Sequence, residues 1–281
     1  MAVHILTLTC ADRPGIVASI AEGLLELEGN ILENAQFSDT STAMFCMRTR
    51  FETPVDEPHQ VHLALQPRAA ALDADLRVRR EDQKCRALVM VSKYDHCLVD
   101  LLYRWETSEL SIDIPVVLSN HPDLRDTVVR HGIGFEHVPV TPDTKAEAED
   151  RLLELVASHG IDVVVLARYM QILSPRVCEQ LSGRIINIHH SFLPGFTGAK
   201  PYHQAWDRGV KVIGATAHYV TEGLDEGPII DQDVARVSHS HTADQMVVIG
   251  RDLERLVLSR AVKAHAEGRV FLVGHRTVVF S

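Results

Sequence analysis

The chain has 281 residues, of which 46% are hydrophobic and 23% are charged. At about 150 residues per domain this length predicts two domains, and the formal net charge of −10 argues against non-specific binding to nucleic acid. The apolar runs are shorter than a membrane span needs, and we expect no signal peptide because no basic, then apolar segment opens the chain. The five cysteines are dispersed and never form a C-x-x-C pair. We therefore expect a cytoplasmic protein without a disulfide framework or a zinc site.

The first 80 residues show strand and helix patterns in the order β-α-β-β-α-β. Runs of apolar and β-branched residues indicate strands, and apolar residues at helical spacing indicate helices. The predicted strands are residues 3–8, 31–38, 43–51 and 76–80, and the predicted helices are residues 16–27 and 58–71, the second interrupted at Pro67. Asp12 is expected to cap the first helix, with Pro14 in its first turn. The order predicts a ferredoxin-like domain over residues 1–80, followed by a polar linker at 81–84.

Residues 85–281 show a different pattern, in which short apolar strands alternate with helices. The predicted strands are residues 87–91, 112–118, 135–138, 162–167, 185–188, 211–219, 229–237, 270–273 and 277–280. The predicted helices are residues 95–107, 123–130, 145–158 and 242–265. This α/β alternation predicts a mostly parallel, doubly wound, Rossmann-like sheet with helices on both faces. In such a sheet, ligands bind outside the carboxyl ends of the strands.

The most informative stretch is Asn-Ile-His-His-Ser-Phe-Leu-Pro-Gly-Phe-Thr-Gly, at residues 187–198. Asn187 and His189 are two residues apart, so their side chains point the same way on extended backbone. An amide can donate to a developing oxyanion, and an imidazole can move a proton near neutral pH. Asp225, in a turn flanked by glycines, is a candidate to hold His189 in one tautomer or to orient a water. Spacing alone does not bring these three residues together.

This pattern, with the Asp of Leu-Asp-Glu-Gly-Pro 36 residues after its first His, resembles the catalytic signature of the folate-dependent formyltransferase family. The resemblance implies that Asn187, His189 and Asp225 are the catalytic residues. Residues 166–174 resemble the family's folate-pocket segment, in which backbone groups near 171–173 would read the pterin edge. The folate contacts that the resemblance implies are Leu166, Arg168, Met170, Gln171, Ile172, Leu173, Val220 and Leu224.

The first domain resembles an ACT domain, a regulatory fold that often binds amino acids, through Asp-Arg-Pro-Gly-Ile-Val at residues 12–17. An ACT domain ahead of a formyl-folate domain is similar to the formyltetrahydrofolate deformylase family. This resemblance implies hydrolysis of 10-formyltetrahydrofolate to formate and tetrahydrofolate, with no cofactor or metal, in support of purine synthesis and the balance of one-carbon folates. It also implies a homo-oligomer and an amino-acid effector, for which the candidate residues are Asp12, Arg13, Pro14, Gly15 and Ile16.

One departure from the family separates hydrolysis from transfer. Relatives that formylate a phosphorylated glycinamide have a glycine-rich loop after the first strand, where backbone N–H groups hold the phosphate. Residues 91–98 contain no glycine here, and Asp95 would repel a phosphate. Water is then the expected acceptor, and Lys93 and His190 are candidates to border its site.

Two alternatives remain at this stage. One is a formyltransferase to an amine acceptor, for which the acidic charge disfavours tRNA. The other is a catalytically silent amino-acid sensor, against which the intact set of Asn187, His189 and Asp225 argues.

Overall fold

The computed structural model describes residues 1–195 and 201–281, and the chain divides into two units. The first unit comprises residues 1–83 and 267–281, and the second comprises residues 84–266. The elements in chain order are β1 (Ala2–Ala11), α1 (Ile16–Glu26), β2 (Asn30–Asp39), β3 (Met44–Thr53), α2 (Pro58–Ala71), β4 (Asp75–Arg80), β5 (Cys85–Val91), α3 (His96–Glu106), β6 (Ile112–Ser119), α4 (Arg125–Val129), β7 (Gly134–His137), α5 (Lys145–Ser158), β8 (Val163–Leu166), α6 (Pro175–Gln180), β9 (Ile185–His189), α7 (Pro201–Asp207), β10 (Val212–Tyr219), β11 (Ile229–Arg236), α8 (Ala243–Ala266), β12 (Val270–Val273) and β13 (Arg276–Val279).

The first unit contains a four-stranded antiparallel sheet with the strand order β2-β3-β1-β4. This is the arrangement of a ferredoxin-like fold, as the β-α-β-β-α-β order predicts. The apolar face of α1, with Ile16, Ile20 and Leu24, is buried together with Leu65 of α2 and Phe51 of β3 in one core. Burial of these side chains removes apolar surface from water and holds the helices on the sheet.

The start of α1 differs from the prediction. The residue at the N-cap position is Gly15, whose φ of +94° favours glycine, and no side chain caps the helix. Asp12 lies too far before the helix to cap it, and its backbone N–H donates to the carbonyl of Ala43 at 2.8 Å. Pro14 likewise precedes the helix. The segment from Asp12 to Gly15 is therefore an exposed turn.

The predicted interruption of the second helix at Pro67 is wrong, because α2 continues through this residue. A proline inside a helix removes one backbone hydrogen bond, to the carbonyl four residues earlier. That carbonyl belongs to Leu63, and both Leu63 and Pro67 are exposed. Water can then satisfy the freed carbonyl, so the helix need not break.

The predicted range of the catalytic domain, 85–281, is wrong at its end. Strands β12 and β13 form a two-stranded antiparallel sheet that belongs to the first unit. Phe271 and Val273 are buried against Cys46 of β3, and Arg276 forms an ion pair with Asp39 at 2.7 Å. Alternating apolar residues predict a strand, but they do not show which sheet or core the strand joins.

The second unit contains a seven-stranded sheet with the strand order β11-β10-β9-β8-β5-β6-β7. Strands β5 to β9 are parallel, and β10 and β11 are antiparallel, which confirms the mostly parallel α/β fold. Strand β8 and most of β5 are fully buried, as is typical of central parallel strands. The strand order reverses between β5 and β8, and ligands bind at such a switch point. Within the described part of the chain, no helix combines the length and hydropathy that crossing a bilayer requires.

Candidate active site

A cleft of about 200 Å³ lies in the second unit beside the ends of β8 and β9. Three segments line it: the loop after β8, the last residues of β9, and the turn after β10. Every residue predicted to be catalytic, Asn187, His189 and Asp225, is among the lining residues. Separate parts of the sequence therefore meet in one cavity, which spacing could not establish.

His189 is held between two oxygen atoms. Its Nδ1 atom lies 3.1 Å from Oδ2 of Asp225, and its Nε2 atom lies 2.8 Å from Oγ of Ser191. Because a carboxylate only accepts hydrogen bonds, Nδ1 of His189 carries a proton. In neutral His189 the Nε2 atom is then the acceptor, and the Ser191 hydroxyl donates to it.

Asp225 is an ionised carboxylate in a strained turn. Its φ of +58° lies in the left-handed region, which Asp tolerates better than most residues. Burial alone would raise the pKa of Asp225, but the hydrogen bond from His189 and the nearby imidazole of His218 outweigh burial and hold this pKa below its usual range. Asp225 therefore stays charged beside the imidazole of His189.

His218 is a site residue to which the sequence analysis gave no role. In the register of the antiparallel pair β9 and β10, His218 lies opposite Asn187. Its Nε2 atom is 3.3 Å from the amide nitrogen of Asn187 and 3.6 Å from Oδ1 of Asp225, and its Nδ1 atom donates to the carbonyl of Tyr219 at 2.9 Å. His218 is 2% exposed. It therefore links the amide and the carboxylate into one fixed network.

Ser191 is the second residue without a predicted role, although it lies in the quoted motif. Its backbone carbonyl accepts a hydrogen bond from the Thr216 hydroxyl at 2.9 Å, and the same hydroxyl accepts from the N–H of Leu193 at 3.2 Å. The segment after β9 is thus tied to β10. The remainder of the motif, Phe196, Thr197 and Gly198, lies outside the described residues.

The predicted folate contacts all line the cleft: Leu166, Arg168, Met170, Gln171, Ile172, Leu173, Val220 and Leu224. The side chains of Met170, Ile172 and Leu224 are between 51% and 60% exposed. Such exposed apolar groups along the cleft suit the flat faces of an aromatic ligand. Arg168 differs from the others, because its side chain is only 10% exposed and lies 3.3 Å from Glu254.

Lys93 was predicted to border the site of the attacking water, but the structure places it elsewhere. It is exposed and is not among the residues that line the cleft. Strand β5 ends at Val91, and the side chain that turns inward after it is that of Ser92, which is 3% exposed. Of the two residues predicted to border the water site, only His190 lines the cleft.

The side chain of Ser92 holds the loop after β8, which contains the predicted folate contacts, in place through hydrogen bonds. Its hydroxyl donates to Oδ1 of Asn120 at 2.7 Å and accepts from the backbone N–H of Met170 at 3.0 Å. Both Ser92 and Asn120 are buried, and the sequence analysis did not identify either. The bond to Met170 ties the loop after β8 to the loop after β5, across the switch point of the sheet.

Replacing Ser92 by Ala is expected to raise the KM for the folate ligand about 5–10-fold and to leave kcat within twofold. The change leaves the backbone N–H of Met170 and the side-chain oxygen Oδ1 of Asn120 without their hydrogen bonds to Ser92. This loss costs about 1–2 kcal/mol in the ordered loop. Steady-state kinetics on Ser92→Ala measure this, with Ser158→Ala, an exposed serine on α5, as the control. A kcat that falls with an unchanged KM would contradict the supporting role.

His190 is a buried neutral histidine. It is 8% exposed, and its ring centroid lies 5.1 Å from that of His189. Burial, aided by the positive charge of Arg168, lowers the pKa of His190 from 6.5 to about 4. The folded protein therefore binds fewer protons at this residue than the unfolded chain between pH 4 and 6.5.

Folding stability should consequently fall as the pH is lowered through this window. The contribution of His190 is fully present above pH 6.5 and decreases by about 3 kcal/mol by pH 4, at about 1.4 kcal/mol per pH unit. Urea unfolding of the wild type and of His190→Asn at several pH values measures this, because the variant cannot titrate there. A constant stability difference between the two proteins from pH 7 to pH 4 would show that His190 is not held neutral.

Comparison with known proteins extends over both units. The family model described as formyl transferase matches residues 85–262. The chain is 49% identical over 278 residues to a formyltetrahydrofolate deformylase of Corynebacterium sp. (strain P-1), covering 98% of this chain and 97% of the relative. The structure is similar to that of a formyltetrahydrofolate deformylase from Pseudomonas syringae pv. tomato, with a TM-score of 0.97, 48% identity, and coverage of 100% of this chain and 95% of the other. For a formyltetrahydrofolate deformylase from Burkholderia mallei the TM-score is 0.96, with 46% identity and 100% coverage of both chains.

Proposed function

This chain belongs to the formyltetrahydrofolate deformylases within the formyl transferase family, and on that premise we propose that it hydrolyses 10-formyltetrahydrofolate to formate and tetrahydrofolate. The observation that carries the proposal is the network of the buried His189 and His218 with the half-buried Asn187 and Asp225, in a cleft with an apolar rim. The pterin would lie against the rim, where backbone groups of residues 171–173 read its polar edge. The formyl group would then reach the network.

The first step is the attack of water on the formyl carbon. The ionised Asp225 keeps a proton on Nδ1 of His189, so Nε2 is the basic atom of the imidazole. The Ser191 hydroxyl, which donates to Nε2 of His189 in this structure, turns away from that atom. The water oxygen then bonds to the carbon, and one water proton passes to Nε2. Asp225 stabilises the imidazolium that results, and its low pKa prevents it from taking the proton itself.

The second step is the collapse of the tetrahedral intermediate. Its negative charge lies on the former formyl oxygen, to which the amide of Asn187 donates a hydrogen bond. The C–N bond breaks, the folate nitrogen takes the proton from His189, and formic acid leaves and ionises to formate. Oriented acid–base and oxyanion chemistry suffices for a formamide, so the scheme includes no metal or cofactor.

The acceptor in this proposal is water and not an amine. The loop after β5 has no glycine, and the side chains of Lys93, Tyr94 and Asp95 are exposed there. A phosphate cradle of backbone N–H groups needs close approach to the backbone, which side chains at these positions obstruct. The loop after β5 therefore lacks the phosphate cradle that a phosphorylated amine acceptor requires at this position.

Release of formate without an acceptor is the test. The protein is incubated with 10-formyltetrahydrofolate alone, and formate and tetrahydrofolate are followed together. Equal amounts of both products are expected. Turnover that requires an added amine would favour a transferase, and no turnover under either condition would favour a silent sensor.

For the first unit, we propose an ACT-like regulatory role with a small amino acid as effector. The support is the strand order β2-β3-β1-β4 together with the exposed turn from Asp12 to Gly15. Formate release is measured with each common amino acid, for the wild type and for an Asp12→Ala, Arg13→Ala double variant. An amino acid that changes the rate of the wild type but not of the variant supports the effector site. An equal response from both proteins contradicts it.

A homo-oligomer formed through the first unit is part of the same proposal. Strand β2 is a ten-residue edge strand that is exposed over most of its length. It carries Ile31, Leu32 and Phe37, each at least 40% exposed. A long apolar edge strand is a template for pairing with a second copy. Light scattering should show an oligomer for the wild type and a smaller species for Phe37→Lys, and a monomeric wild type would contradict the proposal.

We place this reaction in the cytoplasm, as a source of formate for purine synthesis and for the balance of one-carbon folates. The support is chemical: all five cysteines are free thiols, as in a reducing compartment, and formate is the released product. Growth of a deletion strain without purines should improve when formate is supplied. Growth that does not depend on formate would contradict this role.

A further inference from the structure

The switch point of the seven-stranded sheet lies between β5 and β8, and open α/β sheets bind ligands in the crevice at such a point. Here the loops after these two strands carry Tyr94 and Arg168, and Cζ of Arg168 lies 5.2 Å from the centroid of the Tyr94 ring. The side chain of Arg168 is 10% exposed, and its Nε and Nη1 atoms are buried. The two loops that flank the switch point therefore contact each other across it through these side chains.

Glu254 of α8 fixes the guanidinium of Arg168 in this place. Its Oε2 atom is 3.3 Å from Nη1 of Arg168 and 2.8 Å from Nε2 of His96, the first residue of α3. Its Oε1 atom accepts from the Tyr202 hydroxyl at 2.9 Å. Burial would raise the pKa of Glu254, but His96 and Arg168 outweigh burial and lower it. The glutamate is therefore charged, and its attraction holds Arg168 in the crevice.

The buried side chains continue from Glu254 to the catalytic network. The ring centroid of Tyr202 lies 6.5 Å from that of His190, which lies 5.1 Å from that of His189. Tyr202 is 6% exposed and His190 is 8% exposed. Gly250 of α8 leaves room for the ring of Tyr202, because a Cβ atom at this position would collide with it. A continuous series of packed side chains therefore connects the loop after β5 to His189.

Arg168 is a costly residue for this position. Its φ of +64° lies in the left-handed region, which long side chains rarely adopt and in which glycine is free of strain. Its buried charge costs free energy even when it is paired. Within residues 1–195 and 201–281, moreover, no hydrogen-bond partner is found for Nε or Nη1. Strain of this kind concentrates at functional sites, which points to a constraint on the side chain itself.

The cleft that remains beside Arg168 is small. Its volume is about 200 Å³, and none of its lining residues within the described chain belongs to the loop after β5. Pockets for organic ligands commonly have about 300–1,000 Å³. The pterin and the formyl group account for a cleft of this size, and a water molecule adds little. A second organic molecule would need the space that the side chain of Arg168 fills.

We propose that Arg168, positioned by Glu254, fills the crevice at the switch point and so excludes amine acceptors from the formyl group. Water is then the nucleophile that reaches the formyl carbon. This inference rests on the proposed function and makes Arg168 a residue that determines acceptor specificity. Obstruction of the wrong substrate is a general route to specificity. The missing phosphate cradle concerns phosphorylated acceptors, whereas a filled crevice excludes uncharged amines as well.

The test offers glycinamide, a small primary amine, together with 10-formyltetrahydrofolate. If the amine reaches the formyl carbon, its nitrogen bonds to that carbon, the bond from the carbon to the folate nitrogen breaks, and an amine proton passes to the folate nitrogen. The products are N-formylglycinamide and tetrahydrofolate. The ratio of N-formylglycinamide to formate is measured at one glycinamide concentration and corrected with a protein-free blank. This ratio compares the two acceptors and does not depend on the overall rate of a variant.

Two double variants with the same charge differ in the bulk at position 168. Arg168→Gly with Glu254→Gln removes a side chain larger than glycinamide and suits the φ of +64°, and it leaves no unpaired carboxylate buried. Its ratio of N-formylglycinamide to formate is expected to rise at least about tenfold above the wild type. Arg168→Gln with Glu254→Gln keeps much of the bulk, so its ratio should stay at least about threefold below that of the glycine variant.

Arg251→Gln is the matched control. Arg251 lies on α8 and is exposed, and its Cζ is 5.8 Å from the ring centroid of Tyr94. It does not line the cleft. Loss of this second arginine beside Tyr94 should therefore leave the ratio of N-formylglycinamide to formate at the value of the wild type.

An unchanged ratio in the folded glycine variant would overturn the inference. Equal ratios in the glycine and glutamine variants would do the same, because bulk would then not decide the acceptor. A folded glycine variant that forms neither product also contradicts it, since Arg168 would then be needed for the chemistry itself. Thermal unfolding identifies a variant that does not fold, and in that case Arg168→Gly and Arg168→Gln are compared as single variants. A wild type that releases no formate contradicts the proposed function, which is a separate result.

Discussion

Asp225→Asn is expected to lower kcat for formate release about 10³–10⁴-fold, which is the scale of the same change in a Ser-His-Asp triad. The carboxylate accepts from Nδ1 of His189 at 3.1 Å and stabilises the imidazolium that forms when water is deprotonated. An asparagine amide can instead donate to Nδ1, which stabilises the wrong tautomer and removes the negative charge. Asparagine also tolerates the φ of +58° at this position, so the variant should fold.

The matched control is Glu226→Gln, which removes an exposed carboxylate from the next position of the same turn and should leave kcat unchanged. The pH profile gives a second check. Because the pKa of Asp225 lies below its usual range, this residue stays ionised through the ordinary assay range, and the wild type should show no loss of activity with a carboxylate-like pKa near 4. An activity of Asp225→Asn within tenfold of the wild type would remove Asp225 from the mechanism.

Much of this fold is predictable because its strands are chemically simple. The buried parallel strands β5 and β8 are nearly continuous apolar runs, and the pair of Asn187 and His189 is readable from the two-residue period of β9. The short helices α6 and α7, of six and seven residues, were not predicted. Fewer than two turns give few repeats in which a helical period can appear, although the five-residue α4 does lie within the predicted helix at 123–130.

The contacts that complete the site depend on register and on long-range packing. His218 lies opposite Asn187 because of the register of β9 and β10, and register is a property of two strands together, not of either sequence segment. Asp225 reaches His189 because the turn after β10 folds back over the cleft. The pairing of Arg168 with Glu254 joins a loop to a distant helix, and no local pattern encodes it.

Residues 270–280 show that local sequence also does not reveal to which domain a strand belongs. The hydropathy pattern of residues 270–273 and 277–280 predicts two strands, and β12 and β13 are there. Their place in the first unit follows from side chains such as Phe271 packing on Cys46. Contacts between residues so far apart in the chain are decided by shape and by burial of apolar surface, which composition does not reveal.

Asn187→Ala is expected to lower kcat about 10²–10³-fold and to leave KM within threefold, as for removal of one oxyanion donor. The amide nitrogen of Asn187 lies 3.3 Å from Nε2 of His218, so the donor is held in place before the charge develops. A donor that acts on the oxyanion contributes mainly in the transition state, and its removal therefore affects kcat and not KM. Asn30→Ala, an exposed asparagine of β2, is the control.

Asn187→Leu distinguishes the donor from the shape of the side chain. Leucine has nearly the size and branching of asparagine, but it has no donor and no charge. If Asn187 acts as a donor, Asn187→Leu should be as slow as Asn187→Ala, although it fills the space better. If Asn187 only filled space, Asn187→Leu would be the faster of the two. Kinetics on the two variants side by side therefore decide whether the amide stabilises the oxyanion, because the chemical and steric explanations predict different orders.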